Sequence, residues 1–132
     1  MPVCHYDQRC FGAGRVNFLR SWLNLPTHNA FVYSLEDQVL GYAVLRKAQT
    51  GFKIGPLFAD NSDVAEALYQ ACLNSAQGEP TYLDIPVIND EARALTEKYD
   101  AKYVFECARM YNGTPPETDV NQIFGITSFE LG

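Results

Sequence analysis

Six residues, Asp60-Asn61-Ser62-Asp63-Val64-Ala65, join a run that alternates like a strand to one with the apolar spacing of a helix. Such a junction leaves the free N–H groups of a helix start at the end of a strand, where they can bind a phosphate. Asn61 is suited to cap that helix. Asp60 and Asp63 bring carboxylates to the same place. Each complements the positive helix end by roughly 0.3–1 kcal/mol and repels an incoming anion. A second candidate is Asp84, a carboxylate within the short apolar stretch Thr81–Val87. A carboxylate so placed needs a partner, either backbone or a cation such as Arg109, or it serves as a proton acceptor. Glu106 is the next nearest carboxylate, on a neighbouring strand. Cys4, His5, Cys10 and His28 are the residues a zinc ion would recruit, but they lack the short paired spacing of structural zinc sites. The four cysteines read instead as free thiols, with Cys72 on the apolar face of a helix and Cys107 within a strand.

The elements that must position these groups follow from periodicity and breakers. Tyr6–Leu25 reads as helical, with Val16, Leu19, Trp22 and Leu23 at helical spacing after the Gly12–Gly14 break, and Pro26 stops it. Ala30–Leu35 and Val39–Arg46 form a predicted hairpin about Glu36-Asp37-Gln38, and a second turn at Lys47–Gly51 leads to the strand Phe52–Ala59. Val64, Ala67, Leu68, Ala71 and Cys72 fall at i, i+3, i+4, i+7 and i+8, one stripe of an amphipathic helix ended by Gly78 and Pro80. Thr81–Val87 is the next strand, and a strand, helix, strand series is a right-handed parallel crossover, so Phe52–Ala59 and Thr81–Val87 should be parallel neighbours. Asn89 is the expected N-cap of a helix Asp90–Tyr99 with Ala92, Leu95 and Tyr99 inward. Lys102–Tyr111 and Ile123–Leu131 read as the closing strands, joined by the loop Thr114–Gln122.

Both parallel neighbours carry a proline, Pro56 after Gly55 and Pro86 after Ile85. Proline cannot donate to a ladder and is excluded from central pairing. One reading is that the strands pair at their beginnings and splay at their ends, leaving a cleft whose backbone groups an extended ligand can use. The other is a pair of bulges filled by side chains and water.

The chain of 132 residues suits one domain, with 47% hydrophobic and 20% charged residues, and its apolar runs are too short to span a bilayer. No basic segment followed by an apolar one opens the sequence, which gives the expectation of a cytoplasmic protein. The net charge of -6 argues against a nucleic-acid or anionic-membrane surface and favours a cationic or amine partner.

The element order, with the motifs GYAVLR, KIGPLFAD, LDIP, ARMY and FGITSFELG, resembles the GNAT superfamily of acyl-CoA-dependent N-acetyltransferases. It is similar more narrowly to the C-terminal GNAT domain of tandem proteins. Leu83, Ile85 and Asn89 match the strand-to-helix signature, Ala92 and Leu95 the following helix, and Tyr111 the aromatic that closes the next strand. The resemblance implies an α/β (α+β) fold: a mixed, mostly antiparallel sheet with helices on both faces and a splayed parallel strand pair. It implies one domain over residues 1–132, lacking the usual first strand, for which only Pro2–Tyr6 could serve.

The implied chemistry is transfer of an acyl group, acetyl first, from acetyl-CoA or another acyl-CoA to an amine by direct attack on the thioester, with no metal. Backbone at Leu57, Phe58 and Ala59 would pair with the pantetheine arm, and the amides of Asn61, Ser62, Asp63, Val64 and Ala65 would hold the diphosphate. Asn89 joins this cofactor set, Asp84 or a water would accept the amine proton, and Tyr111 would be the acid. The implied partner is a small-molecule or peptide amine, beside a homodimer mate or companion GNAT domain. Besides the missing first strand, two features depart from the family. Only Ala65 conforms to its phosphate-loop pattern of Arg or Gln, two residues, Gly, one residue, Gly or Ala. Thr96 stands where many members carry a tyrosine acid. The acidic loop, the absent first strand and Thr96 favour the alternative of a degenerate, non-catalytic GNAT domain used for ligand binding or dimerisation.

Overall fold

The computed structural model describes residues 2–86, 88–99, 101 and 120–127. The N-terminal helical stretch divides at its glycines into α1 (Pro2–Phe11) and α2 (Val16–Asn24), with Gly12 at a φ of 94° ending the first. Pro2–Tyr6 is therefore helical and does not supply a strand. Proline is at ease in a first helical turn, and Val3, Tyr6, Asp7 and Cys10 recur on one face at helical spacing, so the segment packs as a helix. α2 ends where predicted. Leu25, before Pro26, has extended φ and ψ of -65° and 139°, as steric conflict with the proline ring requires.

β1 (His28–Leu35) and β2 (Gln38–Lys47) form the hairpin, and the loop is shorter than expected because Gln38 pairs with Leu35. Its two residues, Glu36 and Asp37, both have positive φ, 51° and 65°, the twist that a two-residue hairpin demands. β3 (Phe52–Ala59) runs antiparallel to β2 and has the predicted bounds. Ala43 faces Leu57 and Leu45 faces Ile54, so β3 spends one extra residue at Gly55-Pro56 opposite Val44. That bulge turns both Ile54 and Leu57 to the same side of the sheet.

α3 (Ser62–Ala76) crosses to β4 (Thr81–Leu83), which pairs parallel with β3 at Phe52–Thr81, Lys53–Tyr82 and Ile54–Leu83. The buried stripe of α3 is Val64, Ala65, Leu68, Tyr69, Cys72 and Ala76, rotated from the predicted one, so that Ala67 is exposed. A tyrosine has far more apolar area to bury than an alanine, and the helix turns to bring Tyr69 edge-on to Tyr99, with ring centroids 5.0 Å apart. β4 stops at Leu83, short of the expected Val87, because Pro86 cannot continue a ladder. α4 (Asp90–Lys98) follows its cap Asn89, and β5 (Ile123–Gly125) pairs antiparallel with β3.

The sheet is mixed and mostly antiparallel, with helices on both faces. α3 and α4 cover the side bearing Ala43, Leu45, Ile54, Leu57 and Phe124, and α1 and α2 cover the side bearing Tyr42, Val44 and Phe58. The predicted strand Lys102–Tyr111, most of the loop Thr114–Gln122 and the end of the strand Ile123–Leu131 lie outside the described residues, as do Glu106, Cys107, Arg109 and Tyr111.

Candidate functional site

The parallel strands do part where their prolines predict. Pairing between β3 and β4 ends at Ile54 and Leu83, and Gly55-Pro56 follows. The expectation of an unpaired backbone edge beyond this point is corrected by β5. Leu57 pairs with Gly125 and Phe58 with Ile123, and the Ile126 amide donates to the Asp84 carbonyl at 2.8 Å. The chain's own segment bridges the opening. It fits there because both crossing points are glycines: a side chain on Gly125 would meet Leu83 at 2.4 Å, and one on Gly55 would meet the Thr127 carbonyl oxygen at 2.4 Å. Of the three residues assigned to pantetheine pairing, Ala59 alone lies beyond this bridge, its other edge paired with Gly41.

At the carboxyl end of β3 stands the start of α3. Asn61 caps it, its Oδ1 accepting from the Val64 amide at 3.0 Å. Asp60 accepts a hydrogen bond from the Tyr6 hydroxyl at 2.9 Å and one from the Gln122 amide at 3.4 Å, with Arg9 at 3.6 Å. The Asp60 carboxylate is thus engaged by α1 and the segment before β5. Burial, with Cys10 and Asp60 close by, raises the Tyr6 hydroxyl far above its ordinary range, so it stays protonated as a donor. Burial likewise pushes the Cys10 thiol up to about 12, which removes it as a nucleophile at neutral pH.

Between α3 and α4 lies a groove of about 210 Å³ lined by Ser62, Glu66, Glu91, Ala94, Leu95 and Lys98. Its cation is already engaged, since Lys98 Nζ sits 2.7 Å from Glu66 Oε2, and the Tyr99 hydroxyl donates to the same oxygen at 2.8 Å. Hydrogen bonds from Lys98 and Tyr99 lower the Glu66 pKa, and Glu66 raises that of Lys98. Thr96 turns its hydroxyl back to the Arg93 carbonyl, 2.8 Å away.

Asp84 has a partner, and it is a lysine: Lys53 Nζ lies 2.5 Å from Asp84 Oδ2 across the β3–β4 pair. Asn89 is buried, and its side chain is fully used. Its Oδ1 accepts from Ala92 at 3.1 Å, and its Nδ2 donates to the carbonyls of Val120 and Ile123 at 3.0 and 2.9 Å. It locks α4 to β5.

A buried network beneath α1 and α2 was absent from the sequence reading. Arg15 grips Asp7 with two bonds, Nε to Oδ2 at 2.7 Å and Nη2 to Oδ1 at 2.8 Å, and reaches Thr127 Oγ1 at 3.0 Å. The Tyr42 hydroxyl donates to Asp7, and burial with the nearby Asp7 charge raises its pKa well above the usual value. The spacing of Asp7 and Arg15, eight residues across a helix break, carries no periodic signal. Trp22 adds a bond from Nε1 to the Gly55 carbonyl at 3.1 Å, tying α2 to the bulge.

A family model described as an acetyltransferase (GNAT) domain matches residues 3–125. The chain belongs to the GNAT acetyltransferase family. Similar proteins include the holothin acyltransferase of Pseudoalteromonas sp. (strain SANK 73390), 28% identical over 131 residues, which span 98% of this chain and 45% of that protein. The uncharacterized N-acetyltransferase YitH of Bacillus subtilis (strain 168) is 29% identical over 80 residues, 61% of this chain and 28% of YitH. A crystal structure from Pyrococcus horikoshii, named as a candidate acetyltransferase, superposes with a TM-score of 0.80 at 27% identity, over 98% of this chain and 42% of that one. The chain thus spans less than half the length of these relatives. Among the described residues no helix is long and apolar enough to cross a membrane, and no group of three or more His, Cys, Asp or Glu side chains is placed to hold a metal.

The GNAT fold implies an acyl-CoA co-substrate, and the chain fits it unevenly. At the start of α3 the amides of Ser62 and Asp63 suit a diphosphate, while those of Val64 and Ala65 donate to Asn61. The Leu57–Phe58 edge is occupied by β5, and the groove beside the helix start carries Glu66 and Glu91.

Proposed function

We propose that this chain is a GNAT unit serving acyl-CoA-dependent N-acyl transfer, with acetyl the first acyl group to test and a small-molecule or peptide amine as acceptor. The observation that carries the reading is the α3 start, capped by Asn61, standing at the carboxyl end of β3 where that strand has left β4. On this reading the amides of Ser62 and Asp63 hold the diphosphate, those of Val64 and Ala65 being taken by Asn61, and Ala59 offers the backbone left beyond β5. The thioester supplies the activated acyl group. Asp84, held by Lys53, takes the amine proton, and Tyr111 is the candidate acid. The names of the relatives support the acyl-transfer class, and the net charge of -6 supports a cationic amine. The test is thiol release from acetyl-CoA against a panel of amines, with calorimetric titration of acetyl-CoA. Turnover or saturable heat is expected, and no heat at millimolar acetyl-CoA sinks the reading for this chain.

A second reading is favoured by β5. A unit whose slot is bridged by its own strand suits a non-catalytic companion domain in a longer acyltransferase, and it predicts the silent titration.

A further inference from the structure

β1 lies at the margin of the sheet, and among the described residues its one strand neighbour is β2. Proteins usually guard such a margin with charges, proline, bulges or a very short strand. The eight residues His28–Leu35 contain no Asp, Glu, Lys, Arg, Pro or Gly. From His28 to Tyr33 they keep unbroken register with β2, and the irregularity comes only between Tyr33 and Ser34. Its exposed positions are uncharged: Val32 is 48% exposed, Tyr33 38% and Leu35 62%, beside polar Asn29 and Ser34.

Charge is distributed unevenly along this margin. Glu36 and Asp37 form the hairpin tip at one end, both exposed. At the other end Arg46 pairs with His28, and Lys47 donates its amide to the Thr27 carbonyl at 3.2 Å. We propose that two copies of this chain join antiparallel through their β1 strands about a two-fold axis, forming one continuous sheet. Antiparallel addition lays the acidic tip of each copy along the basic end of the other, whereas parallel addition would stack acid on acid. The surface is self-complementary in the sense that a two-fold interface requires. The two charged ends also offset the general repulsion of chains that each carry a net charge of -6.

Sedimentation velocity over a concentration series, with hydrogen exchange at its two ends, tests this. The expected result is a shift from monomer to dimer mass as concentration rises, with β1 amides becoming protected in step. Val32→Lys puts a charge on an exposed side chain at the join, so thermal stability should hold while the dimer weakens by about tenfold or more. Reversing the tip with Glu36→Lys and Asp37→Lys should also weaken it, and adding Lys47→Glu should recover part of the loss. A wild-type chain that is monomeric throughout overturns the proposal, as does a dimer indifferent to Val32→Lys or a tip reversal that Lys47→Glu fails to relieve.

Discussion

The two faces of the sheet are held by different physics. Under α3 and α4 the contact is apolar: Leu45, Ile54, Leu57, Leu68 and Phe124 fill it, and stability there scales with area and fit. Under α1 and α2 apolar packing surrounds a buried ionic centre, in which Asp7, Arg15, Tyr42 and Thr127 satisfy one another. The first face tolerates conservative exchange. The second is all or nothing, because each member left alone becomes an unpaired polar group in a dry site.

Deletion at the ionic centre gives the largest expected effect. Asp7→Ala strands Arg15 and Tyr42 and should cost about 3–5 kcal/mol in urea unfolding. Asp7→Asn, which keeps shape and some bonding, should cost clearly less; equal losses would mean that the carboxylate charge alone, rather than shape and hydrogen bonding, governs this site. On the opposite face Leu68→Ala should cost about 3 kcal/mol through its cavity, and Leu68→Met less than about 1.5 kcal/mol. Asn89→Ala, between α4 and β5, removes a cap and two donors and should lose about 1–2 kcal/mol, with Asn89→Asp recovering the cap alone. At the hairpin tip, Asn-Gly in place of Glu36-Asp37 should gain about 0.5–1 kcal/mol by relieving two positive φ values.

The smallest effect is one of pH. Burial, with Arg46 nearby, lowers the His28 pKa below its ordinary 6.5, against a hydrogen bond to Trp22 that raises it. The unfolded chain therefore binds the proton first. Stability should fall as pH drops through 6.5 and level off below the folded value. A His28→Gln variant should lose this slope in thermal melts between neutral and mildly acid pH.

The same division decides what the sequence could disclose. Elements defined by nearest neighbours were legible: β3 to the residue, the hairpin within two residues, α4 with its Asn89 cap, and the parting of the parallel strands at their prolines. What failed depends on distant partners. β5 reaches into the opening because of two glycines far apart in the chain, and no local pattern announces that meeting. Asp84 meets Lys53 because β3 and β4 are parallel neighbours, a pairing the strand, helix, strand order implies, while the register that brings these two side chains together is not written in it. The Asp7–Arg15 pair spans a glycine break that hides their proximity, and a carboxylate within an otherwise apolar helix face was the one available signal. Leu57 and Phe58 pair with β5, and Asn89 donates to the Val120 and Ile123 carbonyls, so hydrogen bonds that a ligand would need are made within the chain. Tyr111 falls outside the described residues.

Trp22 is the chain's one tryptophan, and its indole N–H is anchored to the Gly55 carbonyl at the start of the opening. Phe18 stacks on it at 5.3 Å, and His28 meets it edge-on at 4.6 Å. Its fluorescence is therefore an intrinsic gauge of the bulge. Emission that shifts when a ligand is added, without any unfolding, reports a rearrangement at the Gly55-Pro56 bulge.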